Sequence, residues 1–591
     1  MYVDPEQHPL HAAALAGDAA RCEQALGVGW GVNDTGPAGR TPAIFAILGG
    51  ERDCIDLLIN NGADLTIGDD AQLGVCHWAA HQEAYKLLKY LLDTGIARWD
   101  QIDGSGRTAL HWCALAESTK SLNAVLKKIK TGDPTAINHQ DNESMTALHW
   151  AAFHQKSKHV ALLVKYGAQT DLLDHLKRTP LHWAVEANDA LSSRAILSAE
   201  TQADVNGQDG EGRTPLHIAV AQGAPDVVQM ICQYPGANVN VLDDVNRTPL
   251  HWAAAAAQTD VVSVLCSFGA DTAAKDDNGA TAMHYAAQGD EPSTLEALLV
   301  VGAVHEADGD GRYPLHWAVM REEASLVLAL LQGEVDVNLV DGAGRTALHF
   351  AAAAGAAEVI SVLVSFGADP NMADETGQTA IFAPCENGQN DLIVQLIEAG
   401  SDVAHIDGEG RTPLHWIAVN GDTTSLTTLI NAGCTLDQQD GSGKTALSYA
   451  AYQGHNDSVR MLLELGGNPD YQDNDGVCAL HWAALQGFDD LVAMLVESGA
   501  YLNYMEINEN KSTPLDYALI SGNTSIVEYL AEAGGLSIVD IQEIAATSIQ
   551  AAFRANRARK SLAKLKQDKI RDGAVRRSKI PLSNQESARG H

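Results

Sequence analysis

Thr179-Pro180-Leu181-His182-Trp183-Ala184 decides the fold, because the phrase is not written once. It returns unchanged at Thr248-Pro249-Leu250-His251-Trp252-Ala253 and, with one inserted Ile, at Thr412-Pro413-Leu414-His415-Trp416-Ile417-Ala418. Close variants open at Thr41, Thr108, Thr146, Thr214, Thr281, Tyr313, Thr346, Thr379, Thr445 and Thr513, and weaker copies at His8, Gly74 and Cys478. The sixteen starts lie 32 to 35 residues apart, except for one step of 38 from Thr108 to Thr146. A fixed period of this length is the signature of stacked repeats.

Each position of the phrase has a physical task. A Thr hydroxyl can cap a helix, and Pro fits the first helical turn, where its missing N–H costs nothing. Leu and Ala face the neighbouring repeat. The fixed place of His predicts a hydrogen bond to backbone between repeats. A second apolar run follows, such as Val261-Val262-Ser263-Val264-Leu265 or Val359-Ile360-Ser361-Val362-Leu363-Val364, with the spacing of a helix that buries one face. Gly269-Ala270-Asp271 and Gly367-Ala368-Asp369 then end that helix, with Gly in the left-handed conformation. The Asp-x-x-Gly-x-Thr stretch before the next phrase (Asp276, Gly279, Thr281; Asp341, Gly344, Thr346) reads as a tight turn. The unit is helix, turn, helix, loop, and it resembles the ankyrin repeat. Such a unit cannot stand alone. Ordering 33 residues costs on the order of 50 kcal/mol, so burial must come from stacking. The expected fold is all-α: an ankyrin-repeat solenoid of about 16 units over 1–535, an amphipathic helix over 536–571, and a basic disordered tail over 572–591. The first copy (Pro9-Leu10-His11) and the last, which has Asp516 in the His position, read as caps.

Composition narrows the function. The chain carries a net charge of −37. From Ile549 to His591 there are 12 Lys/Arg against 3 Asp/Glu, or +9, which leaves −46 on the 548 residues before them. An acidic body repels phosphates, so nucleic acid is not expected as a partner and basic segments are. No run reaches the length of a membrane span, and no signal segment is expected ahead of the first repeat. The nine Cys are scattered without a C-x-x-C pair, the pattern of free thiols in a reducing compartment.

Twenty-two His and ten Trp suggest catalysis until their spacing is read. Twelve His share one repeat position, and eight Trp directly follow one. Residues placed by a structural period lie a repeat apart and do not converge on one substrate or metal. No phosphate loop, dinucleotide fingerprint, zinc-protease or nucleophile-elbow motif is present. No enzyme, cofactor or metal site is expected. Trp112, Trp150, Trp183, Trp252, Trp317, Trp416 and Trp482 either pack in the core or line a groove as aromatic anchors.

One motif lies outside the period. Ile549-Gln550-Ala551-Ala552-Phe553-Arg554-Ala555-Asn556-Arg557-Ala558-Arg559 fits the IQ pattern I-Q-x-x-x-R-G-x-x-x-R, with Ala555 at the Gly position. The segment from Ile541 to about Arg571 lacks Pro and Gly and reads as one helix, with Ile541, Ile544, Ala545, Ile549, Ala552 and Phe553 on one side. A basic amphipathic helix is the kind of target calmodulin takes. Ile549, Gln550, Phe553, Arg554 and Arg559 are the candidate contacts.

The repeats, the last-repeat phrase Thr513-Pro514-Leu515-Asp516-Tyr517-Ala518-Leu519, the junction Gly535-Leu536-Ser537-Ile538 and the IQ motif closing on Arg559-Lys560 together resemble the inversin family of nephrocystin scaffolds. That resemblance implies a non-enzymatic scaffold of the cytoplasm, primary cilium and cytoskeleton. It implies other nephrocystins, a NIMA-related kinase, Dishevelled and microtubules as partners, and a role in setting Wnt signalling between its β-catenin and planar cell polarity branches. Arg576-Arg577-Ser578-Lys579 adds a short basic run of the sort that nuclear import reads. The second reading is a substrate-recruiting adaptor for a ubiquitin ligase or phosphatase, which would need a docking box beyond the repeats.

Overall fold

In the computed structural model the described residues are 3–200, 203–507 and 509–577. They form two compact units, Met1–Gly342 and Ala343–His591. The first holds ten helix pairs, from Pro9–Ala16 with Ala19–Gly27 to Pro314–Met320 with Ala324–Gln332. The second holds six, from Ala347–Ala354 with Ala357–Ser365 to Pro514–Ser521 with Thr524–Glu532, followed by a single helix over Ile538–Arg577. The sixteen pairs coincide with the sixteen phrases and are numbered here as repeats 1–16. The fold is the all-α ankyrin solenoid read from the sequence.

Repeat 6 shows why the phrase folds as it does. Thr179 is extended (φ −84°, ψ 163°) and Pro180 opens the first helix, Pro180–Glu186. The His182 ring satisfies the helix start: its Nδ1 accepts the Thr179 backbone N–H at 3.1 Å and lies 2.8 Å from the Thr179 hydroxyl. This is a capping box with His where Glu or Gln commonly stands. Because Nδ1 accepts, the ring proton sits on Nε2, which donates to the Arg213 carbonyl of repeat 7 at 3.2 Å. The same pair of bonds recurs at His77, His111, His149, His217, His251 and His284 in the first unit, and at His349 and His415 in the second. The predicted inter-repeat bond is therefore present. The expected hydroxyl cap is the weaker partner: where a Thr Oγ1 does accept the helix N–H, as at Thr146 and Thr214, the distance is 3.4 Å.

Second helices bury one face, as at Val261, Val262 and Leu265 or Val359, Ile360 and Leu363. Gly269 and Gly367 follow them with φ of 85° and 86°, a conformation L side chains rarely adopt. The loops between repeats are tied tip to tip. Asn142 N–H donates to the Ser105 carbonyl and Gly210 N–H to Leu176, and in the second unit Gly441 N–H donates to Glu409. Gly410, at φ 78°, sits so close to the next loop that a Cβ there would lie 2.7 Å from the Gly441 nitrogen.

The terminal helix differs from expectation in length. It continues six residues past 571, to Arg577. The remainder of the expected tail, 578–591, lies outside the described residues.

Burial pushes the imidazoles of His111, His149, His182, His217 and His481 down to about 4, because desolvation penalises the charged ring. An unfolded His takes up a proton below its ordinary 6.5, so between about pH 6.5 and 4 the unfolded chain binds more protons than the folded one. Stability must then fall as pH falls through this window. Circular dichroism melts at pH 7.5 and pH 5 should show a midpoint at least roughly 5 °C lower at the acid end. An unchanged midpoint would mean that the rings do not hold the folded state in the neutral form.

Candidate protein-interaction surfaces

Two surfaces emerge from these elements. The first is the row of loops and first helices that carries the Trp residues. In repeat 4 the buried Asp103 accepts from the backbone N–H of Ser105 and Arg107 through Oδ1, and from Arg107 Nε and Trp112 Nε1 through Oδ2, at 2.9–3.1 Å. The Arg107 guanidinium lies 4.6 Å from the Trp112 ring centroid. The arrangement repeats with Asp243, Arg247 and Trp252; with Asp174, Arg178 and Trp183 the backbone bond, the indole bond and the stacking recur, but the Arg178 guanidinium pairs with Glu186 and Asp209. Trp78, Trp150 and Trp317 donate to Asp69, Asp141 and Asp308 in the same way. The sequence signal is Asp-x-x-x-Arg-x-x-x-x-Trp, which the helix phrase alone had hidden.

Burial by itself would raise the Asp103 carboxyl. The Arg107 and Ser105 backbone N–H groups and the Trp112 indole outweigh it and hold the group below the usual carboxylate range. In repeat 15 Val477 stands where Arg would be, and burial there pushes Asp473 up instead. Trp416 departs from the pattern. Arg411 stacks on it at 4.4 Å, but its indole N–H is buried without a partner. Trp482 packs edge-on to Tyr452 at 5.1 Å. Trp112, Trp150, Trp183, Trp252, Trp317, Trp416 and Trp482 are all half-buried. Each is therefore held by the fold while keeping a solvent-facing rim.

Most of the repeat His are engaged by the fold itself. In the nine repeats named above both ring nitrogens are committed to backbone, and the described residues contain no group of His, Cys, Asp and Glu that could hold a metal. No helix among them is long and apolar enough to cross a membrane.

The second surface is the terminal helix. Its start is fastened by a change at the His position. In repeat 16 the residue there is Asp516, whose Oδ2 accepts from Thr513 N–H and Thr513 Oγ1–H and also from Ile538 N–H, each at 2.9 Å. His Nε2 donates to a carbonyl and so binds another loop. A carboxylate accepts, so it binds the N–H groups at a helix start, where the dipole favours negative charge. Ser537 and Asp540 add a capping box, the one Thr513 hydroxyl proton is shared between Asp516 Oδ2 and Leu536 O, which lies 2.8 Å from Oγ1, and Leu536 N–H donates to Asn503 Oδ1 at 2.7 Å. Beyond this joint the described side chains from 542 onward are all exposed. Ile549 is 65% and Phe553 75% accessible. The helix brings Ile549, Gln550, Phe553 and Arg554 together along one shallow groove with Arg557. Arg559 lies exposed further along.

The fold, the capping histidines and the loop ladder define an ankyrin-repeat protein. The family model for ankyrin repeats (3 copies) matches nine overlapping stretches, from 76–174 to 465–541, that leave no gap between them, and the chain belongs to that family. It is inversin-like: it is 35% identical to inversin of Homo sapiens and 34% identical to inversin of Mus musculus, each over 234 residues and 39% of this chain. The alignment spans 22% of either inversin. A palmitoyltransferase of Pongo abelii also matches, at 29% over 213 residues, covering 36% of this chain and 33% of that protein. Among solved structures, the ankyrin repeat domain of Bcl-3 matches at 31% identity over 34% of this chain and 93% of that one, with a TM-score of 0.33. Family and relatives together make the chain a protein-interaction scaffold.

The Asp516 joint makes a direct prediction. Asp516→His restores the residue of the other repeats but places an Nε2–H donor against Ile538 N–H. Local stability of the helix start should fall by about 1–3 kcal/mol, read as faster hydrogen exchange over 536–545 with repeats 1–10 unaffected. Equal protection in the variant would rule the joint out.

Proposed function

We propose that the chain is an inversin-like scaffold whose repeats dock partner proteins and whose terminal helix seats calmodulin. The observation that carries the second part is the uncovered helix. A packed helix hides its apolar face, whereas here Ile544, Ile549 and Phe553 stand in water, and exposed aliphatic and aromatic side chains flanked by basic ones mark a binding face. Ile549 and Phe553 are the apolar anchors, Gln550 a hydrogen-bonding one, and Arg554 and Arg559 meet the acidic rim of the clamp. As an IQ segment it takes calmodulin with or without calcium.

On the repeats, the Trp rims stacked under Arg are the aromatic anchors for protein partners. By similarity to the inversins we assign other nephrocystins, a NIMA-related kinase and Dishevelled to this scaffold, with microtubules as a further contact. Its place is then the cytoplasm, the cytoskeleton and the primary cilium, and its output the balance between the two Wnt branches.

Calorimetric titration of calmodulin into the full chain, with calcium and with chelator, tests the helix. One calmodulin should bind per chain in both conditions. The Ile549→Ala/Phe553→Ala variant should bind at least roughly 30-fold more weakly, as expected when anchor side chains are truncated. Absence of heat in both conditions would refute the calmodulin assignment and leave the repeats as the scaffold's only docking surface.

A further inference from the structure

The acidic body holds one basic face. Of the 13 lysines ahead of Ile549, nine fall between 86 and 165. All nine lie on or beside the second helices of repeats 3, 4 and 5, which pack side by side within the first unit. Tyr85–Thr94 carries Lys86 and Lys89, and Thr119–Thr131 carries Lys120, Lys127, Lys128 and Lys130. Ser157–Lys165 carries Lys158 and Lys165, with Lys156 at its cap. The middle helix is lengthened to 13 residues, where every other second helix has eight to ten; this is the 38-residue step of the sequence. Tyr166 Oη–H donates to Asn123 Oδ1 at 2.9 Å and so ties repeat 5 to repeat 4 across the face. Lys89, Lys127 and Lys128 meet Asn123 and Thr131 around a groove of about 340 Å³ between the second helices of repeats 3 and 4. Only Lys156 is neutralised in an ion pair, with Glu117 at 2.6 Å. Asp93, which also lines the groove, is the one acidic residue on the three helices.

Helix stability does not explain these lysines. Those in the last turns, such as Lys128, Lys130 and Lys165, suit the negative end of the helix dipole. Lys86, Lys120 and Lys158 do not: each is the second residue of its helix, at the positive end, where a cation is unfavourable. In seven of the other thirteen repeats that position holds an acid (Asp53, Asp226, Asp260, Glu358, Asp391, Asp457 and Asp490), and in none of them a lysine. Three adjacent repeats thus share the wrong charge for their own helices, and that charge is aimed outward.

We propose that this face docks an acidic polypeptide segment. Three helices at about 10 Å spacing give a footprint of roughly 20 Å, the length of about six extended residues. Lysine ammonium groups on flexible stems meet carboxylates without demanding the bidentate geometry Arg reserves for phosphates, and no Arg lies on the three helices. A nucleic acid or membrane would reach past the face to the acidic remainder of the body and be repelled. The inference stands apart from the calmodulin reading, since it uses none of the terminal helix.

Fluorescence anisotropy of a labelled octaglutamate peptide with the full chain tests it. Lys86→Glu/Lys120→Glu/Lys158→Glu is the decisive variant, because it installs an acid at the positive end of each helix, as seven other repeats do, so its melting temperature should hold or rise. The proposal expects binding at low salt that weakens steeply toward 0.3 M, at least tenfold weaker binding in this variant, and unchanged binding in Arg554→Glu/Arg557→Glu/Arg559→Glu. Peptide binding that survives the first variant and disappears in the second would overturn the proposal by moving the site to the terminal helix. Tighter capture of an octathymidylate or of phosphatidylserine vesicles, lost in the first variant, would overturn it in favour of a nucleic acid or a membrane.

Discussion

Most of this stack rests on a histidine that faces two ways. One ring nitrogen closes the helix of its own repeat, and the other reaches the backbone of the next. The bond is available only to a neutral imidazole with its proton on Nε2, and burial supplies that condition by excluding the charged form. A single side chain thereby couples local helix formation to stacking. Neither would be stable alone, because a 33-residue unit buries too little to offset its conformational entropy.

The exceptions lie both inside the stack, where Ile44, Phe382 and Ser448 stand at the His position of repeats 2, 12 and 14, and at its end. In repeat 15 the cap position is Cys478, whose Sγ lies 3.1 Å from His481 Nδ1, and His481 Nε2 is buried without a partner. In repeat 16 Asp516 takes the place of His and reverses the polarity of the bond, from donating to a carbonyl to accepting an N–H. A stack of His-linked repeats is open-ended, since each ring asks for another loop. The carboxylate closes that series and hands its acceptor to a helix start instead, which is how the terminal helix comes to leave the array from a fixed point.

The repeat unit and the number of repeats were legible because a period is a property of sequence: the phrase, the apolar pairs such as Val261 and Val262, and the glycines at 269 and 367 each recur in register. The exposed terminal helix was legible for a similar reason, since its apolar and basic residues recur at helical spacing. The indole anchors were not. Trp183 and Asp174 lie nine residues apart across a loop, and no helical or strand period links them, so the Trp row left core and groove both open. The rings are half-buried, with the N–H of Trp78, Trp112, Trp150, Trp183, Trp252 and Trp317 fastened to an Asp and that of Trp416 left without a partner. The end of the terminal helix also escaped. Gly573 reads as a stop, but a helix already capped and running tolerates one glycine at about 1 kcal/mol, and it continues to Arg577.

Charge shows where a sum misleads. A body of −46 argues for basic partners everywhere, yet the second helices of repeats 3–5 carry eight lysines, with a ninth at a cap, while the corresponding helices of repeats 12–16 carry acids such as Asp391, Asp457 and Asp490. Screening confines each surface charge to its neighbourhood, about 10 Å at ordinary ionic strength, so a partner senses the repeats it touches and not the total. In a stacked protein each repeat can therefore change its outer charge without altering the inner histidine that holds it in place. Separating a constant interior from a variable exterior is what lets one unit, copied sixteen times, present surfaces of opposite sign along a single chain.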